Sequence, residues 1–283
     1  MTRLPGPGYP APAKLNLFLH VTGRRADGYH LLQSVFVLID RCDTLRVAVR
    51  DDAVVRRVND VPGVPAETDL AVRAAKALQA ATGCALGADI EVEKRIPMGG
   101  GLGGGSSDAA TVLLVLDRLW KLHLGTARLQ EIGVGLGADV PFFVGGRNAW
   151  VEGIGERIVP IDVPPRWYAV LVPPVHVATR DIFAAAELTR DRETLKMEDF
   201  SARPATAFVN DLEAVAVSRY PQVRSHLQWL RQYGQARMTG SGGCVFAGFD
   251  SRDAAQGVID ALPATMQGFI AQGLTHHPLR AQE

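Results

Sequence analysis

Cysteine is nearly missing from this chain of 283 residues: there are 3, Cys42, Cys84 and Cys244. The number is odd and the spacing fits neither a metal-ligand set nor a CxxC pair. That excludes a disulfide framework and implies buried free thiols in a reducing compartment. An excess of charge of one sign is also missing, since 30 Lys plus Arg balance 30 Asp plus Glu. A net charge of zero argues against nucleic acid or an anionic membrane as the main partner, so any bound anion has to be gripped locally. Lysine is scarce, confined to Lys14, Lys76, Lys94, Lys121 and Lys196; all other basic residues are arginine, a bias that base composition of the gene explains. Long apolar runs are absent: Val35 to Ile39 and Val112 to Leu116 fall far short of the roughly 20 residues that span a bilayer. The amino terminus, MTRLPGPGYP, has no apolar core and reads as a flexible Pro/Gly tail instead of a signal or transit peptide. The expectation is a cytoplasmic protein with no membrane partner.

With 47% hydrophobic and 21% charged residues, the chain can build a large core. Its length fits two domains, and Pro164–Pro165 marks a boundary between residues 1–163 and 164–283. From Lys14 to Val21 the pattern alternates, with Lys14, Asn16, Phe18 and His20 on one face and Leu15, Leu17, Leu19 and Val21 on the other. Strands are expected at 34–39, 44–50, 54–58 and 89–96. A helix follows Thr68 or Asp69 and stops at Gly83. A glycine-rich loop then runs into an apolar helix over about 107–122, with Ser106 and Ser107 where an N-cap belongs. A weaker helix over 127–136 and a hairpin of 148–152 with 157–161 complete the first half. The second half reads as strands at 167–172, 245–249 and 268–275, with helices at 181–188, 205–217, 221–233 and 251–262. Sheet and helix mix without regular βαβ alternation, so the class is α+β.

The loop from Pro97 to Ser107 carries Gly99, Gly100, Gly101, Gly103, Gly104 and Gly105. Backbone amides freed of side chains can converge on phosphate oxygens there, helped by the positive end of the following helix. A polyphosphate is the natural guest; a flexible linker is the bland alternative. Gly99, Gly101 and Gly104 formally satisfy G-x-G-x-x-G, so a nicotinamide-dependent oxidoreductase is a rival, but no second strand ending in an acid follows at the required distance. A P-loop is excluded because no lysine follows the glycines.

The combination PAKLNLFLHV, DGYHLLQS, PMGGGLGGGSSDAA, GADVPFF and MTGSGG, spread over residues 11 to about 250, resembles the GHMP kinase superfamily. DGYHLLQS and the two extra glycines, Gly104 and Gly105, point to the branch that acts on a cytidine-diphosphate-linked methylerythritol on the non-mevalonate route to isoprenoids. The resemblance implies an amino-terminal domain like part of ribosomal protein S5, a carboxyl-terminal ferredoxin-like domain, and an active site in the cleft between them. It implies ATP, with Mg2+ carried on it, as co-substrate and a 2-hydroxyl of the small-molecule alcohol as acceptor. Asp139 would be the base and Lys14 the charge stabiliser. Lys94, Pro97, Gly99, Gly100, Gly101, Leu102, Gly103, Gly104, Gly105, Ser106 and Ser107 would hold ATP, with Leu70 and Ile96 also flanking the adenine. Asn16, Tyr29, His30, Thr179, Phe183, Gly240 and Ser241 would hold the acceptor and its cytidine. No motif fixes the metal ligands, for which Ser107 and Asp139 are the candidates.

Without the resemblance, Lys14 reads equally as a solvated strand-edge charge, Asp139 as a turn residue, and the Tyr29–His30 pair as half-buried packing. His276 and His277, adjacent near the end, are expected to be solvated and receive no role. Other kinases of the superfamily, acting on mevalonate, homoserine or a sugar, are the nearest alternative, and a non-catalytic nucleic-acid-binding protein the most distant. The chain is expected to be a monomer or weak homodimer.

Overall fold

The computed structural model describes residues 3–202 and 205–280. In chain order the first half comprises β1 (Tyr9–Arg24), β2 (His30–Arg50), β3 (Val55–Arg57), α1 (Leu70–Thr82), β4 (Gly87–Glu93), α2 (Gly104–Leu119), α3 (Gly125–Val134), α4 (Val140–Gly145), β5 (Ala149–Gly153) and β6 (Arg157–Pro160). The second half comprises β7 (Trp167–Leu171), α5 (Thr179–Ala184), α6 (Asp199–Ala202), α7 (Glu213–Arg219), α8 (Pro221–Leu230), β8 (Arg237–Met238), β9 (Val245–Phe249), α9 (Arg252–Asp260) and β10 (Gly268–Gln272), with one 3₁₀ turn at Ala205–Ala207.

β2 organises the first sheet. Thr44 to Arg50 pair with β4, Leu32 to Phe36 pair with β5, and β1 runs antiparallel along β2 on the other side. The second sheet has the order β10-β7-β9-β8, all neighbours antiparallel. The mixed α+β class expected from sequence is what these two sheets and their helices form.

The two strands expected at 34–39 and 44–50 are one strand of 21 residues. The break expected near Asp40 is absorbed as a bulge, where pairing jumps from Pro12–Cys42 to Ala13–Ile39. A second irregularity between Asn16 and Phe18 disturbs the simple alternation expected along β1. β1 is covered on both sides: Ala13 and Leu15 pack on Tyr168, Val170 and Phe246, while Phe18 packs with Val35, Trp150 and Phe208. Both faces therefore demand apolar residues, and Lys14, Asn16 and His20 are buried despite their polarity.

α1 begins and ends as its sequence requires, with the Asp69 carboxylate accepting from the Ala71 amide and Gly83 in the left-handed region. α2 starts at Gly104, three residues before the expected position, and neither serine caps it. The helix expected over 205–217 is largely absent. Val209 and Asp211 instead bond to β1, with Leu19 N–H donating to Val209 O at 3.0 Å and Asp211 N–H donating to Leu19 O at 2.8 Å. The Asp211 carboxylate takes the Val21 amide and the Arg192 guanidinium. Tertiary pairing overrides local helix preference here, and a helix begins only at Glu213.

The terminal segments also differ from expectation. Tyr9 and Pro10 lie in β1, Arg3 pairs with Glu93, and the Leu4 amide donates to Glu91 at 2.6 Å; Met1 and Thr2 lie outside the described residues. His276 is exposed as expected, but His277 is fully buried, with its Nδ1 accepting from the Leu279 amide and burial pushing its pKa down to about 4. The chain beyond β10 returns to the first sheet, and Leu279 joins the core around α2 and α4. Of the three thiols, Cys244 is buried and Cys42 and Cys84 are only half-buried, all of them free.

Phe18 is fully buried where the two halves meet, 5.5 Å from the Trp150 ring and 5.2 Å from that of Phe208. Phe18→Ala is expected to lower the unfolding free energy by about 3–5 kcal/mol, measured by urea denaturation; a loss under about 1 kcal/mol would mean this cluster does not tie the halves together.

Candidate active site

Gly101 of the 97–107 loop is needed because main chain passes against main chain, and Gly99, Gly100, Gly103 and Gly104 because side chains crowd them. Gly101 lies against the Thr239 carbonyl, and a Cβ on Gly100 would stand 2.5 Å from Cys244 Sγ. The Cys244 amide donates to Gly100 O at 3.1 Å, and Thr239 Oγ donates to the Asn16 side chain and to Gly101 O. The glycine loop of the first half and the turn Gly240–Gly243 of the second are thus laced together. Asn210 holds that turn from below, its amide donating to Met238 O and Gly240 O.

Gly103 has φ +73° and opens α2 with no side-chain cap. The Ser107 amide is bonded to Gly103 O, and the amides of Gly104, Gly105 and Ser106 begin a helix of 16 residues. This end of a long helix can receive an anion. Gly103, Gly104, Gly105 and Ser106 line a cavity of about 560 Å³ together with Leu70, Lys94, Ile96, Pro97 and Leu102. Ser107 does not line it. Its side chain is fully buried and its hydroxyl has no partner.

At the other side of Gly103 stands Lys14. Its backbone amide donates to Leu102 O at 2.9 Å, and its Nζ lies 3.6 Å from Asp139 Oδ2 and 4.4 Å from the centre of the Phe36 ring. Burial lowers the Lys14 pKa, and the nearby Asp139 carboxylate partly restores it. Asn16 is spent on positioning: Oδ1 accepts from Lys14 Nζ at 2.5 Å and Nδ2 donates to Ser34 Oγ at 2.9 Å. Asp139 immediately precedes α4, and its side chain keeps 29% exposure against 5% for Lys14. The carboxylate therefore faces the opening and the ammonium lies beneath it. Lys14, Asn16, Asp139, Gly240 and Ser241 line a cavity of about 400 Å³, which shares Gly99, Gly101, Gly103 and Thr179 with the cavity at the helix end.

A third cavity, of about 760 Å³, contains Tyr29, His30, Thr179 and Phe183. Tyr29 is 60% exposed, and the His30 and Phe183 rings lie 5.0 Å apart at 31°. Thr179 belongs to all three cavities and its hydroxyl is 2.6 Å from that of Ser241. The sequence-derived residues, Ser107 apart, thus lie along one continuous cleft.

Some participants were not anticipated. Lys94 is held by Asp43 and by Asp108, the latter at 2.7 Å; burial opposes its charge, but the two carboxylates outweigh it and raise its pKa. Burial raises the pKa of Asp108. Asp43 also accepts from the amides of Arg95 and Ile96, fixing the corner that leads into the loop. Asp108 stood beside the serines in the quoted motif, whereas Asp43 carried no local signal. Among the described residues no group of three or more His, Cys, Asp or Glu side chains could hold a metal ion, and no helix is long and apolar enough to cross a membrane.

Residues 69–147 match the GHMP kinases N terminal domain and residues 185–268 match GHMP kinases C terminal. The chain belongs to the GHMP kinase family. Within that family it is 60% identical over 271 residues to the 4-diphosphocytidyl-2-C-methyl-D-erythritol kinase of Thiobacillus denitrificans, covering 96% of each chain. It is 56% identical to the enzyme of that name from Aromatoleum aromaticum, over 96% of this chain and 94% of the relative. A crystal structure of 4-(cytidine 5'-diphospho)-2C-methyl-D-erythritol kinase superposes with a TM-score of 0.82 at 34% identity, covering 94% of this chain and 99% of that one. A mevalonate kinase structure superposes at 0.70 with 14% identity over 96% and 100% of the two chains, a likeness of fold alone.

A Cβ on Gly103 would stand 2.9 Å from Phe143 Cζ and 3.2 Å from Lys14 Cγ, in a backbone conformation costly for L-residues. Gly103→Ala is expected to lower stability by at least about 1–2 kcal/mol and to raise KM for the nucleotide, read by urea unfolding and steady-state kinetics. Unchanged values of both would show that the close approach is dispensable.

Proposed function

We propose that this kinase transfers the γ-phosphoryl group of ATP to the 2-hydroxyl of 4-diphosphocytidyl-2-C-methyl-D-erythritol, releasing ADP, in the non-mevalonate supply of isoprenoid precursors. The observation that carries the reading is the Lys14–Asp139 pair, 3.6 Å apart, beside the uncapped end of α2 and opening toward an aromatic-walled cavity. The names of the relatives support the choice of acceptor.

The acceptor alcohol reaches the pair through the central cavity. Asp139, the more open partner, accepts the hydroxyl proton as the oxygen attacks phosphorus, and the bond from that phosphorus to the β-phosphate oxygen of the departing ADP breaks. Lys14, 3.6 Å from that carboxylate, places positive charge against the transferring phosphoryl group, in surroundings dry enough for the charge to count. The amides from Gly103 to Ser106 receive phosphate oxygens of ATP, and Lys94, Leu70, Ile96 and Pro97 border the space left for the base. Ser107 contributes through its place in the first turn of α2, since its side chain faces inward. Mg2+ carried on the ATP phosphates would neutralise charge there, and Asp139 is a partly exposed carboxylate that would be available to it.

Tyr29 and Phe183 offer stacking surfaces for cytosine, with the His30 ring 5.0 Å from that of Phe183 in the cavity wall, and Thr179, Gly240 and Ser241 lie between that cavity and the Lys14–Asp139 pair. An acceptor as small as homoserine or mevalonate would leave this aromatic cavity empty. Membership of the kinase family removes the nicotinamide oxidoreductase and non-catalytic nucleic-acid-binding readings.

A coupled ADP-release assay with the cytidine-diphosphate alcohol, mevalonate and homoserine tests the reading directly, and faster turnover of either cytidine-free alcohol would overturn it. Asp139→Asn is expected to lower kcat by at least ~10²-fold with ATP affinity nearly intact; near-normal turnover would remove Asp139 as base. Tyr29→Ala should raise KM for the cytidine substrate through loss of a stacking contact worth about 1–3 kcal/mol, and an unchanged KM would move the pyrimidine elsewhere.

A further inference from the structure

Arg190 makes an unusual set of bonds. Its Nη1 donates to Leu188 O at 3.0 Å and Ala186 O at 3.5 Å, and its Nη2 to Ala185 O at 2.5 Å and Phe183 O at 3.2 Å. The guanidinium thereby collects the carbonyls at the end of α5 and just beyond it, holding the backbone of Phe183 in place. Its remaining donor, Nε–H, points to His30 Nε2 at 3.0 Å.

A guanidinium only donates and does not lose its proton in proteins. His30 Nε2 must therefore present a lone pair, which puts the single imidazole proton on Nδ1. Protonating Nε2 as well would set N–H against N–H and cation against cation. Nδ1 has no hydrogen-bond partner among the described residues, and His30 lines the same cavity as Tyr29 and Phe183. The charged groups around the ring are Arg24, Asp27, Arg180 and Arg190, three of the four being cationic. Burial first, then Arg190 and Arg24, lower the His30 pKa.

We propose that Arg190 is a positioning residue for acceptor recognition: it fixes His30 as a neutral ring with its one proton on Nδ1, so that the cavity offers the pyrimidine a hydrogen-bond donor at a defined place. This rests on the cytidine-linked acceptor of the preceding section. A donor fixed opposite N3 suits cytosine, whose unprotonated N3 accepts, and opposes uracil, whose N3 carries a proton. The same side chain locks the Phe183 carbonyl, so ring stacking and donor placement are set together.

The direct test needs no variant. Long-range ¹H–¹⁵N spectra of the wild-type protein, with His30 assigned by comparison with His30→Asn, are expected to show Nδ1–H and a titration below the ordinary histidine value of about 6.5. An Nε2–H tautomer or an ordinary titration would overturn the inference. In Arg190→Met, and in Arg190→Lys should the first fold poorly, the ring is expected to titrate closer to the ordinary value. KM for the cytidine substrate should then rise several-fold to about tenfold, more so as pH falls from 8 toward about 6, and preference for the cytidine over the uridine compound should shrink, with KM for ATP unchanged. A rise equal at every pH with the base preference kept would reduce Arg190 to a structural tie and overturn the proposal. If the wild-type enzyme fails to phosphorylate the cytidine compound at all, the substrate reading falls, and the spectra still decide the state of the His30 ring.

Discussion

Main chain against main chain is the constraint on which this molecule depends. The loop after β4 and the turn after β8 come from different sheets, and they approach so closely that Gly100 and Gly101 have no room for a Cβ beside Cys244 and Thr239. That contact joins the two halves and places the open end of α2 beside the Lys14–Asp139 pair. Glycine here provides proximity more than flexibility. Gly103, in the left-handed region, is the point where close approach to Phe143 and the start of the helix coincide.

Around this contact the electrostatics divide into two parts. Lys14 is buried with one carboxylate nearby and a ring face beneath it, so its charge is held less firmly than in water. Lys94 is half-buried with two carboxylates, so its charge is held more firmly. In a chain without net charge, local pairing alone decides where positive potential is retained. The long helix of 16 residues adds a partial positive end that no side chain satisfies, since Ser106 and Ser107 fall inside its first turn instead of before it. Moving the helix start three residues upstream converts two expected caps into structural residues and leaves the backbone amides for the ligand.

The glycine loop was legible from its own residues, whereas Lys14, Asp139 and the Tyr29–His30 pair were singled out only through the resemblance to the GHMP kinases, since alone they read equally as a solvated charge, a turn residue and half-buried packing. The overall class was legible from strand and helix signals that mix without regular βαβ alternation. What escaped depends on distance in the chain. Alternation along β1 could not reveal a strand covered on both faces, because Phe18 and Leu15 bury against different clusters. The stretch near Asn210 read as helix because pairing with Leu19, 191 positions away, is invisible locally. Asp43 and Arg190 showed no pattern at all, since each acts by gathering backbone groups or side chains brought together only by folding. His277 looked like a terminal solvated residue for the same reason.

The segment after β10 has a consequence for how the chain reaches this state. Leu274 O receives the Asn148 side-chain amide across 126 positions and Arg280 bonds to Val144 O across 136, so the first sheet and its helices take packing partners from residues that follow β10. Closing contacts of such long range is entropically slow, so the seam between the first sheet and the segment after β10 is expected to form late in folding.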